Sequence, residues 1–312
     1  MKYFEIFFLG IVVFLTNLPN PYAFEFQNEN VDLIIHPGIG FRIDDLKWSI
    51  ADQDGHPNIL SELEFNDLII FQYGFDFDLT VKEIYLRSTL YYGGIIDGKC
   101  TDSDYYIDNR EGLFSRSESE INNDDVQDIT VGLGYQFYLN NKKSKIAPLI
   151  GISDHQQNLR ITNGVQTVAT PQLTPAIGSF PDLNSTYQAK WNTWWLGMDA
   201  FFKVTKNVSL SSSLEFHTAN YKAKADWNLR NDFAHPVSYT HKAKGKGIVI
   251  KVGINKTLDK HWNVGLMTIW QDWRTSSGID KLYFSTGETV STKLNKVDWE
   301  SKSINLFFSY KF

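Results

Sequence analysis

The chain has 312 residues, a formal net charge of −6, and 9 Trp, 15 Tyr and 22 Phe beside only 3 Met. The acidic balance excludes a nucleic-acid partner, because binding phosphates needs a basic face. A single cysteine, Cys100, excludes an internal disulfide framework; it reads as a loop cysteine without a role, with cross-linking to another chain as the alternative.

The first 23 residues read as a signal peptide. Lys2 supplies a positive start, Tyr3 to Leu18 is mostly apolar apart from Glu5, and Pro19, Asn20 and Pro21 break the run before Tyr22-Ala23. A charged start, a short apolar core and a small-residue exit mark export, with a mature chain over 24–312. The apolar run is short for a helical span of about 20 residues, and no later segment reaches the ~18 apolar residues such a span needs.

From there the recurring period is two. Ile129, Val131, Leu133, Tyr135, Phe137 and Leu139 alternate with Thr130, Gly132, Gly134, Gln136 and Tyr138. Ile248, Ile250, Val252 and Ile254 alternate with Val249, Lys251, Gly253 and Asn255, and a looser version runs through Trp262, Val264, Leu266, Thr268 and Trp270. Successive strand side chains point to opposite faces, so each segment has one oily and one more polar side. Strands are expected near 33–50, 59–77, 82–96, 125–139, 145–162, 187–204, 208–228, 237–255, 261–275 and 294–312.

The connections between these strands alternate in length. Short turns fall near Asp78 to Lys82, Asn140 to Ser144, Thr205 to Asn207 and Lys256 to Lys260. Long ones run over Ala51 to Asn58, Asp97 to Asp125, Asn163 to Thr186, Leu229 to Pro236 and Ser276 to Lys293. An even strand number with short turns on one side and long loops on the other is the layout of outer-membrane barrels. The chain ends on Ile304, Leu306, Phe308, Tyr310 and Phe312 in alternation, and an apolar edge strand of this kind is an aggregation hazard unless it closes onto the first strand. The fold class is therefore all-β: a closed antiparallel transmembrane β-barrel of about ten strands in the cell outer membrane. Outer-membrane lipids meet its oily side.

The polar sides of the strands supply candidate lumen residues: Arg42, Asp76, Arg87, Gln136, Asp199, Lys203, Glu215, His217 and Lys251. Glu215 and His217 share one face and are expected to pair across the lumen with Arg87, Lys203 or Lys251. A wet, charged interior suggests a narrow channel for ions and small hydrophilic solutes, although small barrels are often filled by their own side chains. His36, His56, His155 and His261 show no metal-ligand spacing, so neither a metal nor another cofactor is expected.

Asp102 and Asp104, two apart on an extended chain, face the same side and could share a proton and hold a water. The stretch from Glu62 to Tyr105, with Asp102, Ser103, Asp104 and Tyr105 as its motif, resembles the omptins, ten-stranded outer-membrane proteases whose barrels rise above the bilayer. The resemblance implies an endopeptidase that uses Asp102 and Asp104 to position water. The omptin pattern also has an Asp-x-His pair at the outer end of the seventh strand, where this chain carries Asn228, Leu229 and Arg230. Neither Asn nor Arg can act as a carboxylate-oriented imidazole. Asp226 precedes that place, and a local bulge would be needed to bring Asp232 and His235 together.

In length, signal and loop plan the chain also resembles the Protochlamydia outer membrane protein family, and that resemblance implies porin activity. The terminal Tyr-Lys-Phe resembles the signal read by barrel-assembly machinery, which implies a partner engaged through Phe312. Porins are often trimers, so an oligomer is allowed for, although no strand face stands out as an interface. A third reading is a non-enzymatic surface barrel, an adhesin or structural protein, supported by the Thr-, Pro-, Gly- and Ser-rich stretch Asn163 to Thr186.

Overall fold

The computed structural model describes residues 31–139 and 144–311. The expected signal peptide over 1–23 and the terminal Phe312 lie outside the described residues.

Ten antiparallel staves close into one ring. The first three are β1 (Val31–Ile50), β2 (Ser61–Val81) and β3 (Ile84–Ile107). The fourth comes in pieces, β4 (Glu111–Ile121) on the side of the long connections and β5 (Asp125–Tyr135) with β6 (Phe137–Leu139) below it. All three pair with β7 (Ser144–Val168), which also carries the two-residue β8 (Gly178–Ser179). Then follow β9 (Ser185–Lys203), β10 (Val208–Asp226) and β11 (Tyr239–Thr257). The ninth stave is split between β12 (Trp262–Thr275) and β13 (Gly278–Tyr283). The last, β14 (Thr289–Lys311), pairs with β1 from Ile34↔Lys311 to Ile50↔Leu294 and leaves no open edge.

An apolar belt encircles the outside. Ile39, Phe41, Ile43, Ile69, Phe71, Ile129, Val131, Leu133, Ile150, Ile152, Leu196, Phe216, Ile250, Val252, Leu266, Ile304 and Phe308 all point outward and are exposed. Above the belt, toward the long connections, the same strands invert. Along β1 the outward residues change from Ile39, Phe41 and Ile43 to Asp45 and Lys47, while the inward ones change from Arg42 and Asp44 to Leu46 and Trp48. Along β10 the outward Leu214 and Phe216 give way to Lys222 and Lys224, and the inward Glu215 and His217 to Ala219, Tyr221, Ala223 and Ala225. Lipid around the lower half demands an apolar outside. Water around the upper half demands a polar outside and an apolar core.

Facing bulges keep the core continuous across this change. Register shifts between Asn66 and Ile70 of β2 and around Asp97 of β3 move the buried positions of β3 from Tyr85, Arg87, Tyr91 and Ile95 to Gly98 and Cys100. Three expected loops turn out to be strand. Most of Asp97 to Asp125 is the upper end of β3 and all of β4, Ser276 to Lys293 holds β13, and β7 runs on to Val168. Their charged outward residues face water from a paired strand. The expected loop thiol is likewise corrected: Cys100 is a buried core residue of β3, out of reach of another chain.

Candidate functional site

The lumen at membrane height is filled by a connected polar network. The Arg42 guanidinium donates to Asp44 at 2.6 Å and also bonds Asp128, which in turn meets His155 Nδ1 at 2.6 Å. Across the lumen, Arg87 donates to Asp199 at 2.6 Å and to Glu215 at 2.5 Å. Glu215 also meets Lys251 at 3.2 Å and His217 Nε2 at 3.0 Å. The two halves join through Thr193 and Ser153, hydroxyls 2.6 Å apart that reach His217 and His155 at 3.0 Å each. Toward the short turns the chain of contacts continues through Tyr85, which donates to Asp78 at 2.8 Å, and ends on His36 and Ser309. Arg42, Arg87 and Lys251 each touch a carboxylate, and Asp44, Asp128, Asp199 and Glu215 each touch a cation, the condition under which ions remain buried without unfolding the protein.

This arrangement joins many of the expected lumen residues. Arg42, Arg87, Asp199, Glu215, His217 and Lys251 belong to the network, Asp76 accepts from Thr89 at 2.6 Å, and buried Gln136 faces Lys145 at 3.4 Å. Lys203 keeps the strand face of Asp199 but stands exposed at the short-turn rim, where β9 ends, and makes no ion pair with Glu215. Asp44, Asp78, Asp128 and His155 were missed. Parity carried the signal, since Asp44 is two residues from Arg42 and Asp128 shares the face of Thr130 and Gly132.

A cavity of about 40 Å³ lies in this network, bordered by Arg42, Asp128, His155, Glu215 and Lys251. At 10–15 Å³ per water it has room for about three. Directly above it stands a layer of buried aromatic side chains. Trp191, Trp273 and Trp299 are fully buried with ring centroids 5.4–5.9 Å apart, and Trp299 donates its indole N–H to Asp44 at 3.0 Å. Tyr187, Trp48, Tyr239 and His241 continue this layer, with Leu46, Leu63, Phe65, Leu68 and Ile70 beside them. Lower down, Trp195 lies over Gly132 and Gly151, where a Cβ would come within 2.5 and 2.3 Å of its ring, so only glycine admits the indole there.

At the outer mouth, well above the belt, stand Asp102 and Asp104 of β3. Burial, and for Asp102 the neighbouring Asp104 charge, hold both carboxyls above the ordinary range. The Ser61 hydroxyl and the Arg230 guanidinium offset part of this. Arg230 is itself held by Asp232 at 2.7 and 2.9 Å and lies 4.1 Å over Phe233. The expected Asp232–His235 pairing is corrected: His235 Nδ1 meets Asp226 at 2.5 Å. Ala225 and Trp227 point into the core, Trp227 against Tyr239 at 5.0 Å, so Asp226 between them projects from the outer wall. The group that faces the paired aspartates is thus an arginine, which stays protonated and cannot serve as a base.

A closed ten-stave ring with an apolar outer belt and water-facing strand ends defines an outer-membrane β-barrel. The chain belongs to the Protochlamydia outer membrane protein family, whose model matches residues 36–312. In fold it is similar to the outer membrane protease OmpT from Escherichia coli, with a TM-score of 0.73 and 14% identity over 94% of this chain and 100% of that one. Weaker likenesses are to the translocator domain of autotransporter NalP from Neisseria meningitidis (TM-score 0.38, 10% identity, 92% and 90% covered) and OprG from Pseudomonas aeruginosa (0.33, 11%, 91% and 96%). No curated protein sequence matches the chain.

Proposed function

We propose that the protein is a sealed outer-membrane barrel whose work is done by its outer surface, as a structural or adhesive element. The observation that carries this reading is the aromatic layer of Trp191, Trp273 and Trp299 across the lumen, continuous with the aliphatic core. Rings packed at such spacing leave no room for a hydrated ion between them, which supports a sealed lumen. The surface that remains is substantial: the β3–β4 hairpin carries exposed Tyr106 and Ile107, and the stretch after β7 carries exposed Leu173 and Ile177. The outer-mouth carboxylates, with Arg230 as their neighbour, do not favour an endopeptidase.

A channel for ions and small solutes is the second reading, favoured by the charged lower lumen and its cavity. It requires the aromatic layer to move. Recording from the purified chain in planar bilayers separates the two. Silence at high salt and high voltage is expected, and stepwise conductance would overturn the sealed barrel. A dibasic peptide should remain uncut; cleavage abolished by Asp104→Asn would instead establish the protease.

A further inference from the structure

Two walls of the barrel carry opposite charge at one height above the apolar belt. The first covers β1 to β4, where Asp45, Glu62, Glu64, Asp67, Glu118 and Glu120 outnumber Lys47, Lys99, Arg110 and Arg116 on the outer face. Glu62 is held by Arg110 at 2.7 Å, and Glu120 accepts from Asn163 at 2.6 Å. Glu64, across from Lys47 without pairing to it, and Glu118 flank Thr101 on its two sides. Neither has a cation within 4 Å among the described residues. The second wall covers β10 and β11, where Lys222, Lys224, Lys242, Lys244 and Lys246 face outward. These five have no acidic partner within 4 Å among the described residues. Lys222 stands directly opposite Lys242, and like charges opposed across strands repel.

Around the ring β3 is the third stave, and β10 and β11 are the seventh and eighth, so the two walls lie on opposite sides. Their heights agree. Two residues of tilted strand rise about 5 Å. On β2 and β3 the belt ends at Ile69 and Ile96, and Glu120 and the Glu64–Glu118 row follow about 5 and 10 Å above it. On β10 and β11 it ends at Phe216 and Ile248, and Lys246, Lys244 and the Lys222–Lys242 row follow about 5, 10 and 15 Å above it. Two copies in one membrane stand at the same depth and share the direction of the bilayer normal. A two-fold axis along that normal would set each wall against itself, like charge on like. A head-to-tail contact sets lysine against glutamate instead, and because the walls are opposite it repeats without closing after two copies. We propose that the partner is a second copy of this chain: the Glu64–Glu118 wall of one barrel docks on the Lys222, Lys242 and Lys244 wall of the next, building rows of barrels in the outer membrane. This deepens the structural reading of the outer surface and stands whether or not the lumen conducts, since bilayer recording tests the lumen and association between copies tests the walls.

The test uses the full chain in phosphatidylcholine bilayers at low salt. Donor and acceptor dyes on Thr205→Cys, in a short turn, report association by energy transfer as lipid is added. An exposed ion pair strengthens a contact about threefold, so reversing three charges should weaken association about thirtyfold. That loss is expected of Lys222→Glu/Lys242→Glu/Lys244→Glu and equally of Glu64→Lys/Glu118→Lys/Glu120→Lys. Mixing the two variants should restore transfer between unlike copies, because each offers the wall that the other lacks. Heat-modifiable gel mobility reports that every barrel compared is folded. Wild-type copies that show no transfer would overturn the proposal, as would either variant associating like wild type. So would a mixture of the folded variants that transfers no more than each alone.

Discussion

The lower and upper halves of the lumen are built from the same staves by opposite rules. At membrane height the interior is ionic, with Arg42, Arg87 and Lys251 set against Asp44, Asp128, Asp199 and Glu215. Above the bilayer it is an aromatic and aliphatic core of the kind found inside soluble barrels. In the lower half the outer face is spent on lipid contact, so interior cohesion comes from directional contacts between charges. In the upper half, burial from water becomes available again, and the sequence uses it. The proposed function follows this division: the ionic lower half lies beneath the aromatic and aliphatic upper half.

The sharpest way to break the comparison is to damage each half by one side chain. Trp273→Ala in the upper half should cost about 3–5 kcal/mol, read from denaturant unfolding in lipid, because the fully buried ring leaves a cavity among Trp191, Trp299 and His217. Arg87→Met in the lower half should cost a similar ~3–5 kcal/mol for a different reason, since Asp199 loses its cation and Glu215 keeps only Lys251 and His217. The two losses differ in how they can be repaired. Adding Asp199→Asn to Arg87→Met should restore most of the stability, because Glu215 still has Lys251 as its cation. A polar second substitution beside Trp273→Ala should restore none. If the Arg87→Met/Asp199→Asn variant stays as unstable as Arg87→Met, the lower half is held by packing after all.

The same division explains what could be read from the sequence. The belt was legible because lipid imposes strict alternation, as in Ile129 to Leu139 and Ile304 to Phe308. Glu215, His217, Arg87 and Lys251 were legible because polar residues on the far side of that alternation have only the lumen to face. The upper half was harder. In Thr101 to Ser119, polar outward residues on a paired strand look like a loop, and the bulges at Asn66–Ile70 and Asp97 shift the face on which the pattern runs. The distant meeting of Asp226 with His235 depends on the path of a loop, and no spacing rule encodes it.

The outer mouth offers a smaller, pH-dependent effect. The Asp102 carboxyl is held above its usual range by burial and by Asp104, so the folded state binds its proton more tightly than the unfolded chain does. Below the ordinary aspartate value of about 3.9 both states are protonated and the residue is neutral to stability. As pH rises from there through the raised folded value, the unfolded state gains by ionising first, and the fold loses stability. Asp102→Asn should therefore stabilise the protein at pH 7 and leave it unchanged near pH 3, as compared by denaturant midpoints at the two values. A stabilisation that persists undiminished at pH 3 would mean that repulsion between carboxylates is not its source.

The smallest effect concerns the lysines that face one another across β9, β10 and β11 on the outside of the upper half. Lys222 faces Lys190 and Lys242 at once, and opposed like charges cost about 0.2–1 kcal/mol for each pair. In zwitterionic lipid Lys222→Gln should thus raise stability by a few tenths of a kcal/mol, and added salt should erase the gain, because exposed charges are screened over about 8–10 Å. A stabilisation that salt removes cannot be acting through the core, so this screening isolates the outer surface from everything the lumen contributes.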